Sequence, residues 1–166
     1  MKILGIDVGL AIVGFGVVEK QGTKYTHIEH GTITTLKGVD NSIRLTQVYD
    51  QLLLLLDRIR PDIVGVEQLF FFRNATTIIT VGQARGVILL ALEQRGYQIV
   101  EVTPLQVKQF VSSYGRADKH QVQNMVKFLL KLESIPKPDD AADALAIAIC
   151  AANMNKIKVP LIKKSK

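Results

Sequence analysis

Two acidic residues end apolar segments of this sequence, where a charge needs a physical reason. Asp7 follows the run Ile-Leu-Gly-Ile, and Glu67 follows the run Ile-Val-Gly-Val. A carboxylate at the end of a buried strand loses hydration, so it is tolerated only beside a metal, a cation or hydrogen-bond donors. For Asp7 alone, acceptance of backbone N–H groups in the turn to Gly9 explains the residue as well as catalysis does.

A third group of acids lies in residues 139–149, an alanine-rich segment that is typical of a helix. Asp140 and Asp143 are three positions apart, and Asp139 and Asp143 are four apart, so either pair shares one helix face. The spacing does not choose between the two pairs. For Asp139, a structural role at the helix N-terminus is the better explanation, whereas Asp143 lies deeper among alanines that allow close approach to a sheet.

These carboxylates would converge if the two strands and the helix were neighbours. Such a cluster repels itself and takes up protons unless divalent cations neutralise it, and oxygen ligands suit Mg²⁺ or Mn²⁺. Two such ions about 4 Å apart can activate water and stabilise the departing oxygen of a phosphodiester. No Ser or Cys nucleophile with a paired base is apparent in the sequence, so we expect direct hydrolysis by water.

The composition bounds the class of protein. With 166 residues and 48% hydrophobic content, we expect one buried domain over residues 1–153 and a basic, flexible tail over residues 154–166. A net charge of +6 favours a polyanionic partner. The single cysteine, Cys150, excludes an intrachain disulfide and fits a reducing compartment. Because neither a signal peptide nor a membrane span is apparent, we expect a cytoplasmic protein without a membrane partner.

Hydrophobic periodicity and turn residues predict ten elements in the order β-β-β-α-β-α-β-α-α-α. The predicted elements are strands at 3–9, from beyond Gly9 to Val18, 24–36, 62–67 and 97–102, and helices at 41–59, 74–93, from Thr103 to the loop that begins at Ser112, 118–132 and 139–149. This order describes a mixed five-stranded α/β sheet with helices on both faces. It resembles the ribonuclease H fold, whose members hold acids on the first and fourth strands and on a late helix. Fold likeness alone assigns no activity.

Six motifs spread over residues 2–152 make the sequence similar to the RuvC family of Holliday junction resolvases. They are Ile-Leu-Gly-Ile-Asp7-Val-Gly, Glu67-Gln-Leu-Phe70-Phe-Phe-Arg73-Asn74-Ala, Gly82-Gln-Ala-Arg85-Gly-Val, Val107-Lys108-Gln, Ala117-Asp-Lys119-His-Gln-Val-Gln and Asp140-Ala-Ala-Asp143-Ala-Leu-Ala. Each motif is weak by itself, and together they are specific. Val8 and Leu10 depart from the family pattern, in which proline and a small polar residue are common.

The resemblance implies a DNA recombination and repair enzyme. Members of the family are homodimers that cut two opposed strands of a four-way DNA junction, use Mg²⁺ or Mn²⁺, and leave ligatable nicks. The apolar helix 75–93 corresponds to the family's dimer element. RuvA and RuvB homologues are the protein partners that the resemblance suggests.

The resemblance also assigns roles to individual residues. It places the four catalytic and metal-binding acids at Asp7, Glu67, Asp140 and Asp143, with two Mg²⁺ ions per site. Lys108 and Lys119 match lysines near the scissile strand.

A separate set of DNA contacts follows Glu67. Phe70 matches an aromatic that stacks on a base near the crossover, and stacking of this kind contributes about 1–3 kcal/mol. Arg73 is placed to contact phosphate. For Phe71 and Phe72, packing in the core or in a dimer is the alternative that we favour for at least one of them.

Three other functions compete with this interpretation. The first is another ribonuclease H-like nuclease, such as an RNA-processing enzyme of the YqgF type. The second is an ATPase, because Gly-Ile-Asp-Val-Gly also resembles the phosphate loop of actin-like and Hsp70-like proteins, although those need two such domains. The third is a junction-binding protein without cleavage, which the four acids disfavour because they oppose DNA electrostatically.

Overall fold

The computed structural model describes residues 1–69 and 75–154, with the side chains of all of these except 75–77. The elements in chain order are β1 (Lys2–Asp7), β2 (Ile12–Gln21), β3 (Lys24–Thr34), α1 (Asn41–Ile59), β4 (Ile63–Glu67), α2 (Ala75–Gln94), β5 (Gln98–Val102), α3 (Pro104–Ser112), α4 (Lys119–Leu130) and α5 (Asp139–Met154). The predicted order is confirmed. The largest differences are that β2 continues three residues beyond the predicted end and α5 five residues beyond it.

The five strands form one mixed sheet in the order β3-β2-β1-β4-β5. The pairs β1–β2 and β2–β3 are antiparallel, whereas β1–β4 and β4–β5 are parallel. Since parallel neighbours end at the same edge of a sheet, β1 and β4 bring their last residues, Asp7 and Glu67, to one place.

Helices cover both faces of the sheet, as predicted. Helices α1 and α2 pack on one face over a core that includes Leu4, Leu52, Leu56, Ile88 and Leu92. Helices α3, α4 and α5 cover the other face over a core that includes Ile3, Val107, Val126, Leu145 and Ile149. Within the parts of the chain that the structure describes, no helix combines the length and the apolarity needed to cross a membrane.

Three glycines form a row across the middle of the sheet and let α5 lie close to it. Gly5 of β1 pairs with Gly16 of β2 on one side and with Gly65 of β4 on the other. A Cβ atom on Gly5 would lie 2.5 Å from the backbone nitrogen of Ala148, and one on Gly65 would lie 2.7 Å from the Cβ atom of Ala151. Any side chain in this row would therefore push α5 away from the sheet.

Helices α3 and α4 each begin with a capping box, as the sequence predicts. Thr103 accepts from the backbone N–H of Gln106 at 3.1 Å, and Asp118 accepts from that of Gln121 at 2.8 Å. Both glutamine side chains return a bond to the backbone N–H of the cap residue. These local bonds fix where each helix begins, and Lys119 is the first residue of α4.

Candidate active site

Asp7 and Glu67 point to the same face of the sheet. Residues two apart in a strand share a face, so Asp7 lies on the side of Gly5 and Glu67 on the side of Gly65. Both glycines face α5, because a Cβ on either would contact that helix. The two strand acids therefore face the helix that carries the third group of acids.

A pocket of about 200 Å³ lies between the strand ends, α3, α4 and α5. Its lining residues are Asp7, Glu67, Pro104, Val107, Lys108, Lys119, Val122, Asp143, Ala146 and Ile147. Five of the residues that the sequence selects thus meet at one pocket: three acids and both lysines. They come from five different elements, so only the tertiary structure brings them together.

Asp140 lies beside this pocket and above β2. A Cβ atom on Gly14 would lie 3.1 Å from the Cβ atom of Asp140, and Gly14 is the residue of β2 that pairs with Asp7. The charge of Asp140 reaches the pocket, since it contributes to the raised pKa of Asp7. Asp140 therefore belongs to the electrostatic environment of Asp7.

Asp139 has a different set of neighbours. Its carboxylate lies 2.7 Å from Nζ of Lys137 and 3.7 Å from Nζ of Lys119. The hydrogen bond and the charge of Lys137 lower the pKa of Asp139. Helix spacing leaves open whether Asp139 or Asp140 accompanies Asp143, and the structure gives the two acids different neighbours. Asp139 lies beside two lysines, whereas Asp140 lies over Gly14 and interacts with the charge of Asp7.

Burial and mutual repulsion perturb the acids of the pocket. The pKa of Asp7 is raised to about 7, first by burial and then by the charges of Glu67, Asp143 and Asp140. The pKa of Glu67 is also raised to about 7, by burial and by the charge of Asp143. Near neutral pH the pocket therefore holds more negative charge than the protein by itself stabilises.

Lys119 is the cation that partly offsets this repulsion. Its Nζ lies 2.9 Å from Oδ2 of Asp143, and this bond raises the pKa of the lysine. Burial raises the pKa of Asp143, while the bond to Lys119 opposes that effect. Lys119 is thus the counter-ion of Asp143 in this arrangement.

The chemistry of the pocket fits a hard divalent cation. The groups in the pocket that can donate electron pairs to a metal ion are carboxylate oxygens. Burial and repulsion raise the pKa of two of these carboxyls, Asp7 and Glu67, and a bound cation would lower both pKa values again. Among the described residues, no three His, Cys, Asp or Glu side chains surround one point closely enough to hold a metal ion as they stand. A cation in this pocket would therefore require its carboxylates to come closer together than they lie in this structure.

Arg85 supports Glu67 from the opposite layer, a role that the sequence reasoning did not assign. The Nε–H of Arg85 in α2 donates to the carbonyl oxygen of Glu67 at 3.4 Å, and the guanidinium pairs with Glu101 of β5. The signal in the sequence was an arginine in the middle of a largely apolar helix. Arg85 holds the end of β4, and with it the backbone of Glu67.

The loop after Asp7 is held by the end of β3 and by α1. The Oγ1–H of Thr35 donates to the carbonyl oxygen of Leu10 at 2.8 Å, and Nε–H of Arg44 donates to Oγ1 of Thr35 at 2.9 Å. Leu10 is buried. The apolar residue that departs from the family pattern at position 10 is therefore packed in the interior. Together with the two hydrogen bonds, this packing fixes the path of the loop that follows Asp7.

Phe70 and Arg73 lie outside the described residues, as do Phe71, Phe72 and the chain beyond Met154.

The fold and the acid pocket define a class of protein. A mixed five-stranded sheet with acids at the ends of its first and fourth strands, and further acids on a late helix, is the arrangement of the ribonuclease H-like nucleases. That class includes many activities, so the comparisons with known proteins decide the family.

The family model for the crossover junction endodeoxyribonuclease RuvC matches residues 3–151. The chain is 54% identical over 152 residues to the Brevibacillus brevis protein of that name, covering 92% of each chain. It is 56% identical over 150 residues to the protein of that name from Rubrobacter xylanophilus, covering 90% of this chain and 84% of the relative. The chain belongs to the RuvC family, whose nucleases depend on divalent metal ions.

Solved structures agree with this assignment. Thermus thermophilus RuvC in complex with a Holliday junction substrate superposes with a TM-score of 0.88 at 34% identity, covering 94% of this chain and 95% of that one. The yeast mitochondrial Holliday junction resolvase Ydc2 superposes with a TM-score of 0.67 at 14% identity, covering 93% of this chain and 80% of that one, which shows the shared fold alone.

Proposed function

We propose that this chain is a structure-selective endonuclease that resolves four-way DNA junctions by paired nicks, in DNA recombination and repair. The observation that carries the proposal is the pocket in which Asp7, Glu67 and Asp143 meet two lysines, in a member of the RuvC family. The Thermus thermophilus relative binds a Holliday junction substrate. The pocket is the part of this chain suited to phosphodiester hydrolysis.

The acids hold the metal ions in this proposal. Asp7, Glu67, Asp140 and Asp143 supply oxygen ligands for two Mg²⁺ ions, for which Mn²⁺ can substitute. When bound, such ions lower the pKa of the attacking water and stabilise the departing oxygen of an in-line displacement. The carboxyls of Asp7 and Glu67 would lose their protons on binding such ions, since the pKa of each is raised to about 7 in this structure.

Lys119 exchanges partners during assembly of the site. In this structure it neutralises Asp143. If a divalent cation were to bind that carboxylate, the ammonium group of Lys119 would be free to face a phosphate at the wall of the same pocket. Lys108, which lines the pocket from α3, supplies a second positive charge to that phosphate.

Phe70 and Arg73 are the proposed DNA contacts beyond the pocket. They follow Glu67 by three and six residues in the sequence. An aromatic and an arginine so soon after an acid of the pocket suit base stacking and phosphate binding near the crossover. The basic tail beyond Met154 adds sequence-independent attraction to DNA in this proposal.

A homodimer through helix 75–93 would provide two sites for two nicks. Two large apolar side chains of α2 are solvent-exposed, with Ile79 at 65% and Leu90 at 55% exposure. A Cβ atom on Gly86 of the same helix would meet open space. A second copy packed on this helix would cover these side chains. RuvA and RuvB homologues are the proposed partners that deliver the junction.

The direct experiment uses a synthetic immobile four-way junction. We expect the purified protein with Mg²⁺ to nick two opposed strands at symmetric positions and to leave linear duplex of the same sequence intact. Mapping of the nicks on all four strands checks this. Asp7→Asn should abolish cleavage and keep or tighten junction binding, because it removes a negative charge from the DNA-facing pocket. Asp50→Asn, on an exposed face of α1, is the matched control and should cut normally.

Two results would contradict the proposed function. One is faster cleavage of structured RNA than of junctions, which would favour an RNA-processing nuclease of the same fold. The other is loss of junction binding in folded Asp7→Asn, which would mean that Asp7 holds the DNA and does not serve the cleavage chemistry.

A further inference from the structure

A large hollow lies between the β2–β3 turn and the last turns of α4, and we refer to it as the basic hollow. Its volume is about 570 Å³, and its lining residues are Thr23, Lys24, Tyr25, Asn124, Lys127, Phe128, Leu129, Lys131 and Leu132. Three of these residues are lysines and none is acidic. The phenyl ring, the two leucines and the tyrosine supply an apolar lining between the lysines.

A second hollow continues this surface on the other side of Phe128. It has a volume of about 450 Å³, and it shares Asn124 and Phe128 with the basic hollow. Phe128 is 74% exposed and Tyr114, which lines the second hollow, is 56% exposed. Large exposed aromatic side chains between two concave surfaces are typical of a protein interaction site.

The basic hollow lies at the opposite end of α5 from the acid pocket. Asp140 and Asp143 are at the beginning of α5, whereas Asn153 near its end accepts a 2.8 Å hydrogen bond from the hydroxyl of Tyr25 in the basic hollow. The sixteen residues of α5 span about 24 Å. On α4, Phe128 follows Lys119 by nine residues, which at about 100° per residue places it on the opposite side of that helix.

Charge and shape together indicate the occupant. The lysines of the basic hollow attract carboxylates, while its apolar lining and Phe128 need apolar side chains to cover them. Duplex DNA would satisfy the lysines and leave the phenyl ring and the apolar lining in water. The chain's own residues 155–166 carry five lysines and no acid, so charge disfavours them as occupant.

We propose that the basic hollow, with the ridge formed by Phe128, is a docking site for an acidic peptide segment of a partner protein. The segment presents apolar anchor residues to the two hollows and carboxylates to Lys24, Lys127 and Lys131. Asn153, which bonds Tyr25 of the basic hollow, follows Asp143 by ten residues, about 15 Å along α5, so the partner binds while the acid pocket holds DNA. The inference does not depend on the proposed function, since it concerns a separate surface.

The experiment measures peptide binding to the full chain by fluorescence anisotropy. The probe is a fluorescein-labelled peptide that repeats the triplet Asp-Glu-Phe three times, and a second probe replaces Phe by Leu. We expect saturable binding of at least one probe, and no binding of matched peptides that repeat Asp-Glu-Ser or Lys-Gln-Phe. The inactive variant Asp7→Asn, saturated with junction DNA, should bind the probe as tightly as the protein without DNA does.

Variants assign the binding to this surface. Phe128→Ala and the double variant Lys24→Glu/Lys127→Glu should each weaken probe binding by about tenfold or more. Leu54→Ala, which removes a 69% exposed side chain of α1, and Lys37→Glu, in an exposed loop, are the matched controls and should bind as the unchanged protein does. Thermal unfolding of each variant checks that it is folded.

Several results would overturn the proposal. One is the absence of saturable binding of either probe up to about 1 mM. Another is probe binding that neither Phe128→Ala nor the double variant Lys24→Glu/Lys127→Glu changes. Loss of junction affinity in the lysine double variant without any peptide binding would assign the surface to DNA. Conversion of a dimer to a monomer by Phe128→Ala, measured by light scattering, would assign it to a second copy of the chain.

Discussion

Lys119 and Asp143 form an ion pair at the wall of the acid pocket, with 2.9 Å between Nζ and Oδ2. The two residues are neighbours because the first residue of α4 packs beside the second turn of α5. The pair neutralises one carboxylate of a pocket in which Asp7 and Glu67 have pKa values near 7. A divalent cation that uses Asp143 must therefore compete with an ammonium group of the same chain.

This competition predicts opposite effects of Lys119→Met on metal binding and on cleavage. We expect Mn²⁺ to bind the metal-free variant about two- to fivefold more tightly, because an exposed ion pair of about 1 kcal/mol or less no longer has to be broken. Junction cleavage should fall, since a charge for the scissile phosphate is lost. Calorimetric titration with Mn²⁺ and a cleavage assay measure the two effects. Lys127→Met, at the far end of α4, should change neither, and weaker Mn²⁺ binding by Lys119→Met would contradict the exchange.

The raised pKa of Asp7 predicts a pH-dependent gain of stability in Asp7→Asn. The carboxyl has its ordinary pKa of 3.8 when unfolded and about 7 when folded, so the folded protein binds the proton more tightly. The stabilisation by this proton is complete below about pH 4 and is lost as the pH rises to about 7. In metal-free buffer at pH 8, Asp7→Asn should therefore unfold with a free energy higher by on the order of 2 kcal/mol.

Urea unfolding at pH 8 and at pH 4 checks this expectation. The difference in unfolding free energy between Asp7→Asn and the unchanged protein should shrink at pH 4, where residue 7 of the folded protein is neutral in both. It should also shrink at pH 8 when Mg²⁺ is present. Asp50→Asn, on an exposed face of α1, serves as the control. Equal stability of Asp7→Asn and the unchanged protein at pH 8 would mean that the carboxylates of the pocket do not repel one another.

Metal affinity should rise with pH for the same reason. Protons and divalent cations compete for Asp7 and Glu67, whose carboxyls both have pKa values near 7. We expect Mn²⁺ affinity to increase steeply between about pH 6 and pH 8 and to level off above that range. Proton release on Mn²⁺ binding, measured by calorimetry in buffers of different ionisation enthalpy, tests the coupling. A pH-independent affinity over this range would contradict it.

The glycine row predicts that Gly65→Ala damages the site from a distance. The new Cβ would lie 2.7 Å from the Cβ atom of Ala151, so α5 must move away from the sheet. We expect a loss of stability of about 1–3 kcal/mol and a larger loss of cleavage, because the move separates Asp143 from the strand acids. Gly86→Ala in α2, where a Cβ meets open space, is the control and should be neutral or stabilising in thermal unfolding.

The hydrogen bond from Arg85 to the carbonyl oxygen of Glu67 predicts that Arg85→Lys weakens the site. Arg85→Lys keeps a positive charge near Glu101 but removes the planar group that also reaches the carbonyl oxygen of Glu67. We expect weaker Mn²⁺ binding and slower cleavage with a small change in thermal stability. Arg95→Lys, which alters an exposed ion pair with Asp57, should leave Mn²⁺ binding unchanged. Normal metal binding in folded Arg85→Lys would show that Glu67 needs no such support.

Much of the molecule was predictable because the relevant interactions are local in sequence. The capping boxes at Thr103 and Asp118 join residues three positions apart, so the sequence alone predicts where α3 and α4 begin. The anomaly of an acid at the end of an apolar run likewise identified Asp7 and Glu67. The motifs then indicated the family, which the comparisons confirmed.

What the sequence left open depends on contacts between distant segments. Helix periodicity does not choose between Asp139 and Asp140 as the partner of Asp143, and the family resemblance selects Asp140. Only the packing of α5 shows that Asp140 lies over Gly14 and that Asp139 lies beside Lys137. The pairing of Lys119 with Asp143 follows from the packing of α4 against α5. The support by Arg85 follows from the packing of α2 on the side of the sheet where β4 and β5 lie. Residue types and their local spacing therefore determined which groups are candidates for the chemistry. The tertiary structure decided their partners, because Coulomb interactions and hydrogen bonds depend on distances in space.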